Sequence, residues 1–103
     1  MCNLAFLDSI VYVFKTKQHL ESAAFYATLY KETKNISFLE LSTEHADGVK
    51  RCSLLVKSLG ERIKQTYPEL ANEVQHHIET VEKYESDALC FSNINKHPGD
   101  KNE

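Results

Sequence analysis

The stretch Ser37–Ile63, SFLELSTEHADGVKRCSLLVKSLGERI, decides how the rest of the chain is read. Leu41, His45, Gly48, Cys52, Leu55 and Leu59 recur at alternating spacings of four and three, which lines them along one stripe of a helix. Ser37 with Glu40 three residues on reads as a capping box, and Ile36 with Leu41 as the hydrophobic staple around it. The stripe carries a histidine and a glycine where a plain core helix has leucines. A mid-helix glycine costs roughly 1 kcal/mol relative to alanine. Gly48 is therefore read as room for a neighbouring backbone or bulky side chain, and Gly60 as a local break.

Upstream, Asn3 caps a first helix expected over residues 4–32, with Leu7, Val11, Phe14, Gln18, Glu21 or Ser22, Phe25 and Leu29 as its stripe. Residues 9–14 are β-branched and aromatic enough to read as a strand in isolation. No other segment offers that strand a partner, so helix is the reading. Apolar groups cover nearly the whole circumference of its first three turns, and a helix apolar all round wants burial on more than one side. In so short a chain the second side is expected from another subunit, giving a homo-oligomer through the N-terminal half of helix one. Lys31–Asn35 is polar, with Asn35 expected in the left-handed conformation that ends a helix.

Downstream, Thr66-Tyr-Pro-Glu69 reads as a second capping box with proline in the first turn. Leu70, Val74, His77, Val81, Tyr84 and Ala88 then repeat the four-and-three spacing, and the third helix is expected to end near Phe91–Asn93. Residues 95–103 have nothing to bury and read as a disordered polar tail behind a domain of residues 1–94. The expected fold is all-α: an antiparallel bundle of three long helices, completed by dimerisation.

Composition narrows the function. The 103 residues make one domain, and three glycines with two prolines argue for few, long elements. Net charge is −3 with the Lys and Arg residues scattered, so no nucleic-acid surface is expected. Cys2, Cys52 and Cys90 are odd in number and widely spaced, which fits neither a zinc or redox motif nor a disulfide framework. A reducing, cytoplasmic setting is the expectation. The apolar run Leu4–Phe14 is too short to span a bilayer and contains Asp8. It also lacks a basic leader and a cleavage site.

No phosphate-binding loop, nucleophile elbow or paired-cysteine site is present, and no complete acid/base or nucleophile set is visible, so catalysis is not expected. Three groupings could carry chemistry: Glu21; Glu44, His45 and Asp47; and Glu73, His76 and His77, in which Glu73 and His76 form a Glu-x-x-His pair. Carboxylate with imidazole is the donor set of iron, manganese and zinc sites in helical bundles. Counting from turns near Lys34 and Thr66 puts Glu21 level with Glu44–Asp47. The same count puts His76 about 15 Å further along the axis. One metal cannot bridge both clusters within a chain; a joint site needs a second subunit running the other way.

From about His19 to Leu59 the chain resembles the ferritin-like, rubrerythrin-like family. The resemblance rests on Glu21-Ser-Ala-Ala-Phe-Tyr26, a polar turn near Asn35, Phe38-Leu-Glu-Leu41 and Thr43-Glu-His-Ala46. Family members pair a helix-one glutamate with a Glu-x-x-His on the next helix. Here Ser42 stands three before His45 and Asp47 three after Glu44. Glu21 thus carries over directly, and Glu44 or His45 only by displacement. The candidate metal ligands are Glu21, Glu44, His45, Glu73 and His76, and the implied cofactor is iron, manganese or zinc. The alternative is a metal-free interaction or adaptor protein, with His45 a hydrogen-bonded core histidine, Glu73 and His77 a simple helical pair, and Tyr26, Tyr30 and Tyr84 packing groups.

Overall fold

The computed structural model describes the backbone of residues 4–101 and the side chains of residues 4–91. The third helix runs on to Lys101, past the end expected near Phe91–Asn93 and through most of the tail expected at 95–103; the side chains beyond residue 91, and residues 102–103 altogether, lie outside the described residues. Three long helices, α1 (Leu4–Thr33), α2 (Ile36–Thr66) and α3 (Ala71–Lys101), make up nearly all of it, with one 3-10 turn at Pro68–Leu70. There is no strand among the described residues, and Ser9–Phe14 lies within α1. None of these helices is long and apolar enough to cross a membrane.

Both turns fall where the sequence places them, but different residues make them. The left-handed residue that ends α1 is Lys34, at φ 61°, and not Asn35. Its N–H donates to the Tyr30 carbonyl at 2.7 Å. Asn35 instead caps α2, its side-chain oxygen accepting from the Ser37 N–H at 3.0 Å. The cap thus sits two residues before the expected serine, because Asn35 already holds the extended backbone an N-cap needs. At the second turn Thr66 is the last residue of α2. Tyr67 caps the 3-10 turn without a side-chain hydrogen bond, and Pro68 opens it.

Helix α2 is central, packing against both α1 and α3. Its fully buried line is Leu39, Ser42, Ala46, Val49, Ser53, Val56, Gly60 and Ile63, one residue round from the stripe read in the sequence. Gly48 and Cys52 of that stripe are buried too, Leu41, His45 and Leu59 are half-buried, and Leu55 faces out. Gly60 makes no break. A Cβ there would stand 2.9 Å from Ile78 and Val74 side-chain carbons, so the glycine lets α3 close on α2. On α3 the line is Val74, Ile78, Val81, the half-buried Glu85, and Ala88.

Helix α1 reverses the expected orientation. Its buried residues are the small ones, Ser9, Thr16, Ala23 and Ala27. Most large apolar side chains of the expected stripe point outward: Phe14 and Phe25 are 59% exposed, Val11 48% and Leu7 44%, with neighbouring Leu4 at 70% and Ile10 at 43%, while Leu29 is half-buried. The inward hydroxyls are all satisfied, as buried polar groups must be. Ser9 meets His77 Nδ1 at 3.0 Å, and Thr16 donates to the Tyr12 carbonyl. Ser42 of α2 donates across to the Ala23 carbonyl at 2.8 Å.

A polar cluster at Glu85 joins α2 to α3, in addition to the Lys64–Gln75 hydrogen bond nearer the turn. Glu85 accepts from Ser53 at 2.9 Å and from Lys57 at 2.8 Å. Burial alone would raise the Glu85 carboxyl; the Lys57 and Ser53 hydrogen bonds and the charges of Lys57 and Lys50 outweigh it and hold it below its usual range.

Candidate functional site

His19 of α1 and His45 of α2 meet near the middle of the molecule, Nδ1 to Nδ1 at 3.0 Å, with ring centroids 5.2 Å apart. Gly48 makes this contact possible. A Cβ at that position would lie 2.8 Å from His19 Nδ1 and 2.9 Å from its Cγ, so the missing side chain is the seat of the imidazole. On its other side the His45 ring stacks on Tyr26 at 5.7 Å and an interplanar angle of 10°. Tyr26 in turn stacks on Phe38 at 6.1 Å. A row of four rings therefore runs from the α1–α2 turn inward, ending at His19.

Grooves open on both sides of the histidine pair. The larger, about 660 Å³, is lined by Lys15, Gln18, Glu21, Phe25 and Tyr26 besides the two histidines. The smaller, about 300 Å³, adds Glu44, Asp47 and Arg51. Burial pushes the His19 imidazole below its ordinary value, and the positive charges of His45, Arg51 and Lys15 push the same way. One ring must donate its N–H and the other accept on a bare nitrogen. If both rings are protonated, two N–H groups face each other and the bond is lost.

A second histidine contact lies about ten residues along α1. His77 stacks on Phe6 at 5.3 Å and meets the Ser9 hydroxyl. Burial, then the neighbouring His76, lower its pKa, and the Glu73 charge opposes them. Serine, histidine and glutamate in that order suggest a hydrolytic triad, but Ser9 is fully buried and no substrate carbonyl can reach it. This is a packing contact.

The structure divides the five candidate metal ligands. Glu21 lines the larger groove and Glu44 the smaller, with His45 in both. Glu73 and His76 are exposed residues of α3, beside the His77 contact. Among the described residues, no three His, Cys, Asp or Glu side chains are placed to hold a metal ion together. Glu21 is exposed, and the hydrogen-bond partner of His45 is His19. Sequence reasoning missed His19, although Gly48 on the stripe was a signal that some bulky group of another helix sits there. Cys52 is buried and Cys90 exposed, both free thiols. No family model, curated protein or solved structure matches this chain.

Proposed function

We propose that this chain is a non-catalytic interaction protein, an antiparallel three-helix bundle whose working surface is the outward face of α1. The observation that carries this reading is the outward row on α1: its fully buried positions are small and Phe6 and Leu20 pack partly buried against the core, while Leu4, Leu7, Val11 and Phe14 lie in one line outside. A contiguous row of large exposed apolar groups on a helix marks a binding surface, whereas such groups scattered singly do not. The antiparallel arrangement is supported by contacts that run in opposite directions along the helices, Ala23 with Ser42 and His19 with His45, then Ser53 with Glu85 and Lys64 with Gln75. The ferritin-like reading, with iron, manganese or zinc on Glu21, Glu44, His45, Glu73 and His76, has less support. Its ligands fall into separate groups, and none of the carboxylates is buried.

The test is the double variant Val11→Lys with Phe14→Lys. If this face is a surface rather than a core, the variant keeps its full helical circular-dichroism signal at room temperature. Loss of helix would show that these side chains pack inward and would overturn the reading. Elemental analysis of the purified protein is expected to find no stoichiometric iron, manganese or zinc; one metal per chain would restore the ferritin-like alternative.

A further inference from the structure

Leu4, Leu7, Val11 and Phe14 keep the three-and-four spacing of a coiled-coil seam, and all four point away from α2 and α3. The three helices form a thin body, 52 × 25 × 14 Å, with no fourth element over this side of α1 among the described residues. An apolar seam of this spacing fits another helix carrying the same spacing.

We infer that the occupant is the α1 of a second copy of this chain, laid antiparallel with the two helices level at residue 9. This rests on the reading of the outer α1 face as a binding surface and names its partner. The pattern is self-complementary about that level. Leu4 meets Phe14 of the second copy and Leu7 meets Val11 of the second copy, so every layer pairs two apolar side chains. Ile10 meets its own counterpart on one flank, extending the apolar strip. The two-fold relation follows because the same patch serves on both copies.

Charge offers a rival register. Sliding the second copy by about one heptad sets Asp8 against Lys15 of the other chain, but it also sets Leu7 against Gln18 and Leu4 against Glu21. An exposed ion pair is worth roughly a third of a buried large apolar side chain. The apolar register therefore wins, and it leaves the two Asp8 carboxylates facing each other at the edge of the contact. A membrane surface is the other conceivable occupant. Helix α1 carries three lysines against Asp8, Glu21 and Glu32, without the cationic excess of helices that lie on anionic lipid.

The experiment is sedimentation equilibrium on the full chain, with Phe14→Lys and Asp8→Asn alongside. The expected result is a dimer, with a dissociation constant at least about a hundredfold weaker in Phe14→Lys and about twofold tighter in Asp8→Asn. A weaker dimer in Asp8→Asn would overturn this register in favour of the charged one. Cross-linking settles direction in a Cys2→Ser, Cys90→Ser background. A Leu7→Cys chain mixed with a Val11→Cys chain is expected to form a disulfide dimer, and Leu7→Cys alone is not. The reverse pattern means parallel helices and overturns the proposal. So does a chain that stays monomeric at high micromolar concentration, whether or not it binds vesicles of anionic phospholipid. If Phe14→Lys loses its helical signal, the interaction-surface reading itself fails; if it stays helical and the native chain is monomeric, only the second-copy proposal does.

Discussion

Replacing Gly48 with alanine pits two effects of similar size against each other. Alanine favours a helix interior by roughly 1 kcal/mol over glycine. At this position, however, the new Cβ meets the His19 ring at 2.8 to 3.0 Å, closer than such atoms approach. The ring must swing away, and with it goes the His19–His45 hydrogen bond, a loss of about 0.5–1.5 kcal/mol before any packing is counted. In the native background the net change is therefore zero to about 1 kcal/mol destabilising. In a His19→Ala background the ring is gone, and Gly48→Ala should recover the whole helix gain of roughly 1 kcal/mol. Urea denaturation of the four proteins forms a double-mutant cycle, with an expected coupling of about 1–2 kcal/mol. Additivity within about 0.5 kcal/mol would show that the glycine does not seat the histidine.

Lys34→Gly should raise the melting temperature. A left-handed L-residue costs about 1–2 kcal/mol, partly returned by the greater freedom of glycine in the unfolded chain, so a gain of several degrees is expected and a lower melting point would count against it. Acid should weaken the fold through His19 and His77, both held below their ordinary value of 6.5. Between the folded and unfolded values the unfolded chain binds more protons, so this stability is complete above 6.5 and lost as pH falls through the folded values. The urea midpoint should be lower at about pH 5.5 than at about pH 7.5, and a His19→Gln, His77→Gln variant should show a smaller difference. A midpoint that rises on acidification would refute the sign.

The number of helices and the position of both turns were legible in the sequence, because apolar periodicity and the polar clusters at Lys34 and Thr66 are local signals. The inward face of α1 was not. Periodicity tracks large apolar side chains, and here Leu7, Val11, Phe14 and Phe25 lie outside while the fully buried positions are Ser9, Thr16, Ala23 and Ala27. A buried serine looks like a surface serine until its partner is known, and the hydrogen-bond partners of Ser9 and Ser42 lie 68 and 19 residues away. The same limit hid His19. Its ring is placed by a glycine on another helix, a relation that one-dimensional spacing does not contain. On α2 the reading settled on the α1-facing flank, because Leu41, Leu55 and Leu59 outweigh the smaller residues of the true buried line.

The Ser53–Lys57–Glu85 cluster bears on how the chain avoids misfolding. The buried lines of α2 and α3 repeat every seven residues, so α3 could slip along α2 by one heptad and still meet apolar groups at most levels. The lysine cannot prevent this, since Lys50 and Lys64 stand one heptad to either side of Lys57 and would greet a displaced Glu85 equally well. Ser53 has no such doubles: the equivalent positions are Ala46 and Gly60, and neither offers a hydroxyl. A half-buried carboxylate left with one donor fewer makes each slipped state costlier than the native one. The Ser53 hydroxyl thus joins the close seat of Ile78 and Val74 on Gly60 in telling one alignment from its near-copies, where the larger charge beside it is blind to the difference.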